Sequence, residues 1–138
     1  MTSKSVLGCQ DDELQVAASD ERMEAGHSFR AWACRADSLQ RVRDGLDRIL
    51  QDAAGSTATH LPYAFRLAAN QGTENFDSDT DYNAGLLILK ALRHKDANNI
   101  AVFVAHSYSD VKPVLSARAK TECINHVVAG ALLALNNG

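Results

Sequence analysis

The sequence is poor in the features that mark specialised protein classes. It has two prolines in 138 residues, too few for a proline-rich linker. Its three cysteines, Cys9, Cys34 and Cys123, are far apart, odd in number and form no CxxC pair. That argues against a structural zinc site and a disulfide framework, and fits a reducing compartment. Aromatic residues make up 6% of the chain, with a single tryptophan, so aliphatic side chains must fill most of a core. No apolar run approaches the ~20 residues that a membrane span needs. The opening residues, MTSKSVLGCQDDELQ, lack the hydrophobic stretch of a secretory signal. The expected location is cytoplasmic, with no membrane, metal or cofactor.

A strong field of one sign is also missing. The formal net charge is −3. Residues 1–28 hold six acids against two bases, and the remainder holds 11 acids against 12 bases. An acidic leader therefore precedes a nearly neutral body, without the basic surplus of a protein that neutralises many phosphates. Hydrophobic residues at 46% and charged residues at 22% are ordinary for one globular domain. Residues 1–26 are weakly patterned and are expected to be a mobile leader, with a short edge strand near 13–18 as its one candidate element. Residues 27–138 form the expected domain.

Within that domain two periodicities alternate. HSFRAWACR, residues 27–35, alternates with Phe29, Ala31 and Ala33 on one face, as a half-buried strand does. Asp37 followed by Gln40 predicts a capping box, and Leu39, Val42, Leu46, Ile49 and Leu50 have helical spacing to about residue 53, where Gly55 offers a stop. Residues 57–68 alternate again, with Pro62 marking an edge or a bulge. Residues 70–82 read as loop. Asp81 offers an N-cap for a helix with Ala84, Leu87, Ile88, Ala91 and Leu92 in its stripe. Residues 100–105, IAVFVA, read as a strand buried on both faces. A last helix spans about 115–135. The order predicts an α/β fold, a two-layer sandwich of three helices on a small mixed sheet.

Three segments resemble the IMPACT family. Ser28-Phe29-Arg30-Ala31 is similar to its opening "S-x-F-x-A" strand. Ala58-Thr59-His60 followed by Tyr63-Ala64-Phe65-Arg66 is similar to its "ATH…AYR". Asn83-Ala84-Gly85, a helix and Asn99-Ile100-Ala101-Val102-Phe103-Val104 match "AG", helix, "N-V-x-V-V-V". The likeness covers roughly residues 27–135. Where the family reads "D-D-G-E" this chain has Ser78-Asp79-Thr80-Asp81, and where the family has an arginine and a glycine-rich loop it has residues 106–114, HSYSDVKPV. The resemblance implies a fold similar to the ribosomal-protein domain-2-like fold, and a role in translation regulation and stress response. Eukaryotic members oppose the amino-acid-starvation kinase through an additional RWD domain, to which no residue here is assigned. That role is the part least expected to carry over.

His60, Asp79, Asp81, His106, Tyr108 and Lys112 fall at motif positions, at strand ends or in the loops after them, where α/β ligand sites form. The functional reading is one polar binding cleft, with His106 or Lys112 facing Asp79 or Asp81, and His106 held nearer its charged form. The blander reading makes Asp81 a helix cap, His60 a partner of a backbone carbonyl and Lys112 a solvated charge. A divalent metal on His60, His106, Asp79 and Asp81 lacks a helical ligand spacing. Cys123 and His126 are three apart on one helix, but a buried thiol packs as a small hydrophobe. The sequence therefore predicts a non-catalytic regulatory module with a translation-associated protein partner. The alternatives are an RNA- or ribosome-binding domain and a small metal-dependent hydrolase.

Overall fold

The long alternating segment and the long apolar segment become the two central strands. In a computed structural model, which describes residues 13–68 and 73–137, the elements follow in the order β1 (Val16–Ala18), β2 (Arg22–Glu24), β3 (His27–Arg35), α1 (Leu39–Leu50), α2 (Ala53–Ser56), β4 (Tyr63–Leu67), β5 (Thr73–Asp77), α3 (Ala84–His94), β6 (Ile100–Ser107) and α4 (Ala117–Asn137). The sheet order is β1-β3-β6-β4-β5, with β2 also on β3. β6 is paired along its length with β3 and over residues 100–103 with β4.

Alternation decides what each face carries. Phe29, Ala31 and Ala33 of β3 and Val102 and Val104 of β6 pack under α3 and α4. Trp32 and Cys34, with Ala101, Phe103 and Phe65, face the opposite side, where Val42 and Ile49 of α1 cover them. Helices thus lie on both faces. The sequence reading had three helices on one small mixed sheet; the structure adds α2, and every pairing is antiparallel. The reason is β5, which reverses the chain between β4 and α3, so that β6 returns antiparallel to β4 instead of completing a parallel βαβ unit.

Residues 73–77, read as loop, are that strand. Its sequence, TENFD, has little β-propensity and is mostly exposed, so pairing with β4 rather than composition makes it a strand. The expected mobile leader is likewise ordered where it meets β3. β1 pairs with residues 32–34 and β2 with residues 27–29. Ala25 and Gly26, both at positive φ, form the two-residue turn from β2 into β3. Residues 1–12 of the leader lie outside the described residues.

The caps also differ in detail. Ser38, not Asp37, caps α1, because its extended backbone lets its hydroxyl accept from the Arg41 amide. Gly55 does not end α1 but lies inside α2, where a Cβ would stand 2.2 Å from the Ile49 carbonyl oxygen. Gly85 plays the same part at the start of α3: a Cβ there would meet the Asp77 backbone at 2.8 Å. Pro62 interrupts the pairing of its strand. An isolated bridge joins His60 to His106, the Pro62 carbonyl accepts from the Val104 amide, and regular pairing begins at Tyr63.

Candidate functional site

The antiparallel register sets the first residue of β3 beside the last turns of β6, with Phe29 opposite His106. His27 and His106 therefore share the α3/α4 face at one end of the sheet. Phe29 stacks on the His106 ring at 4.3 Å between centroids. Asp81 enters from the turn before α3, and Lys120 from the first turns of α4. His27, Asp81 and His106 are each at most 1% exposed.

The buried groups form one hydrogen-bonded chain. His27 Nε2 donates to the Pro113 carbonyl at 2.8 Å, and His27 Nδ1 lies 2.8 Å from His106 Nε2. His106 Nδ1 lies 2.8 Å from Asp81 Oδ2. Lys120 Nζ donates to Asp81 Oδ1 at 2.6 Å and to the Tyr82 carbonyl at 2.7 Å. A carbonyl and an ionised carboxylate can only accept. Asp81 thus links the histidine pair to Lys120 across the buried end of the sheet.

Burial is the largest influence on Asp81 and raises it, but the hydrogen bonds and charges of His106 and Lys120 together outweigh it and hold the carboxyl below its usual range. Burial pushes His106 below the usual histidine range, and the neighbouring histidines add to this; the Asp81 carboxylate opposes the shift without reversing it. The sequence reading expected the carboxylate to hold His106 nearer its charged form. Desolvation wins instead, and His106 is held nearer its neutral form.

A second cluster lies at the surface beside it. His60 Nδ1 donates to the Asp79 carbonyl at 3.1 Å, so its Nε2 accepts from the Tyr108 hydroxyl at 2.7 Å. The Asp79 carboxylate accepts from the Leu61 amide at 2.8 Å. The Lys112 ammonium stands 5.3 Å from the Tyr108 ring centre. The structure thus joins His106 to Asp81 and His60 to Asp79 and Tyr108, with the His60 and His106 ring centres 5.7 Å apart. Lys112 reaches neither carboxylate. Asp81 does not cap α3 with its side chain: Ser78 Oγ accepts from the Gly85 amide instead, and the Asp81 backbone carbonyl accepts from Ala84.

His27 and Lys120 were missed by the sequence reading. His27 has the same parity as Phe29, and Lys120 precedes Cys123 and Ile124 at helical spacing, so both lie in line with core positions. Neither signal tells a buried polar partner from a flanking residue.

The turn that holds this site is strained. Asp79, Thr80 and Asn83 have φ of 47°, 61° and 65°. Aspartate and asparagine tolerate that region, but a β-branched threonine does so at a cost. The loop after β6 is different, because no residue of 106–116 has a positive φ. It needs no glycine, and it reaches His27 through the Pro113 carbonyl. Gly26 permits that approach, since a Cβ there would lie 2.9 Å from Pro113 Cγ.

Both nitrogens of His27, His60 and His106 are engaged, so none of these three imidazoles offers a free lone pair to a metal or a nucleophile. Among the described residues, no group of three or more His, Cys, Asp or Glu side chains is placed to hold a metal ion. Burial raises the Cys34 thiol to about 11 and raises Cys123 too, which keeps both as thiols. His126 is exposed while Cys123 is buried, so the two do not form a dyad. The loops carrying Asp81 and Pro113 present Tyr82, Val111 and Val114 to solvent, each more than four-fifths exposed. Among the described residues no helix is long and apolar enough to cross a membrane.

The model of the Impact N-terminal domain matches residues 25–132. A structure titled as a hypothetical protein superposes with a TM-score of 0.70 at 16% identity, covering 88% of this chain and 61% of that one. The two-domain translational regulator Yih1 superposes with a TM-score of 0.58 at 22% identity, covering 97% of this chain and 50% of that one. The chain thus spans roughly half to three-fifths of the length of these neighbours. No curated protein matches the sequence.

Proposed function

The chain belongs to the Impact N-terminal domain family, and from that membership we propose that it is a non-catalytic regulatory module of translation control that acts in the cytoplasm through contact with a translation-associated protein. The observation that carries the reading is the extent of the match, which takes in β3 through most of α4 and so includes every residue of the polar end of the sheet. The structural neighbour described as a translational regulator supports the same direction.

The chemistry of the polar end supports binding over catalysis. Its imidazoles are engaged by one another, by Asp81, by Tyr108 and by backbone carbonyls, and the Cys34 and Cys123 thiols, which lie in the apolar layers, are buried and protonated. Such a network fixes loops; it does not present a reactive group. The loops it fixes carry Tyr82, Val111 and Val114, a combination of aromatic and aliphatic groups suited to a protein contact.

The test is affinity capture from lysate at native salt, with proteins identified by mass spectrometry. Wild-type bait should enrich ribosomal or translation-control proteins, and a Val111→Asp/Val114→Asp bait of unchanged melting temperature should lose them. Equal recovery by both baits would remove the loops from the contact. Recovery of no translation protein would defeat the functional reading.

A further inference from the structure

A second surface lies away from the polar end, between α3 and α4. Leu87, Ala91 and Ala129 form the apolar floor of an open groove of about 510 Å³. Lys90, His94 and Lys95 stand along its α3 side, and Thr121 and Asn125 along its α4 side. Residues 87 and 91 are four apart, as are 90 and 94, and as are 125 and 129 on α4. Each set therefore runs along its helix, and the groove is parallel-sided rather than a round pocket. Leu133, one turn beyond Ala129, extends the apolar line and is 62% exposed.

Two features of the groove point to its occupant. The small side chains at 91 and 129 leave room for a third helix to approach at the spacing that helix packing requires. The lysines beside them are uncompensated: Lys90, His94 and Lys95 make no side-chain ion pair among the described residues. By contrast Arg93, between them in sequence, turns away to Glu74 on β5. Glu122, on α4, is taken by Arg118. An apolar floor beside unpaired cations is complementary to an amphipathic helix with acids along one flank. Single-stranded RNA fits less well, since aliphatic side chains rather than aromatic ones form the floor.

We propose that the α3–α4 groove is a docking site for an acidic amphipathic helix of a partner protein, with apolar residues on the floor and carboxylates against Lys90 and Lys95. The proposal does not depend on that partner belonging to translation.

The probe is a displayed library of single-helix peptides with leucine fixed at one i, i+4, i+7 face and the flanks randomised. Selection on the wild-type chain should enrich glutamate and aspartate on one flank. The best selected peptide, followed by fluorescence anisotropy, should bind about tenfold more weakly or worse to a Lys90→Glu/Lys95→Glu variant. Ala129→Trp should also block it, and because both lysines are exposed the double variant should melt as the wild type does. Binding should weaken as salt rises.

Selected flanks without acidic bias, or a selected peptide that binds the double variant as well as the wild type, would overturn the proposal. So would an oligouridine that competes the peptide away. Concentration-dependent dimerisation abolished by Ala129→Trp would assign the groove to a second copy of this chain instead. Peptide binding with no translation protein captured from lysate would leave the groove standing and defeat the functional reading alone.

Discussion

At the residue scale, the decisive contacts are those of His106 and Asp81. Both are held below their usual values in the fold. A base with a lowered value binds its proton less readily folded than unfolded. The unfolded chain therefore gains protons first as pH falls through about 6.5, and stability is lost from there downward. Asp81 works in the same direction at lower pH, because its stabilisation is present above about 3.9 and lost below it. Thermal melts between pH 7.5 and 5 should show a falling melting temperature, and a His106→Gln variant, though less stable at pH 7.5, should show a flatter slope. An equal slope in both proteins would mean that His106 does not carry the effect.

Thr80 gives a second test at this scale. It sits at φ 61°, where relatives of the resembling family carry glycine. Strain of about 1–3 kcal/mol is expected for a non-glycine residue there, and glycine returns up to about 1 kcal/mol of it through the freedom of the unfolded chain. Thr80→Gly should therefore raise stability by about 1 kcal/mol in urea titrations, even though the threonine hydroxyl loses its bond to the Asp79 carbonyl. A clear loss of stability would show that the hydroxyl outweighs the backbone.

At the element scale, β1 changes the expected role of the leader. Leu14 and Val16 pack in the α1-side cluster, and Ala17 in the α3/α4-side cluster. Ser19 closes the element: its hydroxyl accepts from the Ala31 amide and its own amide donates to the Ala31 carbonyl. Removing residues 1–20 should lower the melting temperature and expose the edge of β3, with a tendency to associate through it. An unchanged melting temperature would restore the leader to a dispensable tail.

The two strands that the sequence reading lacked, β2 and β5, are short elements whose own residues do not alternate cleanly. Each exists because a longer neighbour offers it an edge: β3 for β2, and β4 for β5. The long strands and helices were legible because each buries one continuous face, and burial imposes a period on the sequence. An edge strand buries little and leaves no such imprint.

At the scale of the whole molecule, β3, β6 and β4 each contribute side chains to both apolar layers, so neither layer can open without exposing the sheet. Unfolding should be a single transition. Trp32, the sole tryptophan, reports on the α1-side layer, while helical circular dichroism is dominated by α4. The two signals should give coincident denaturation curves. Separated midpoints would show that the α1 layer opens independently.

The sequence alone determined the strands at 27–35 and 100–105, the three long helices and most of the residues they bury, because periodic burial is written residue by residue; Leu39 and Leu50, at the ends of the first helix's stripe, are exposed. It also determined, through its motifs, the family resemblance and six positions at the ends of these elements. The tertiary structure decided how those positions are used. It directed Asp81 to His106 rather than to a helix end, left Lys112 over Tyr108, and brought in His27 and Lys120 from 79 residues before His106 and 39 residues after Asp81. Hydrogen bonds between distant residues follow from register and helix placement, and neither is encoded in local spacing. The direction of the His106 shift was decided there too, because desolvation is a property of the packed interior and outweighs the charge of the single neighbour that the sequence suggested.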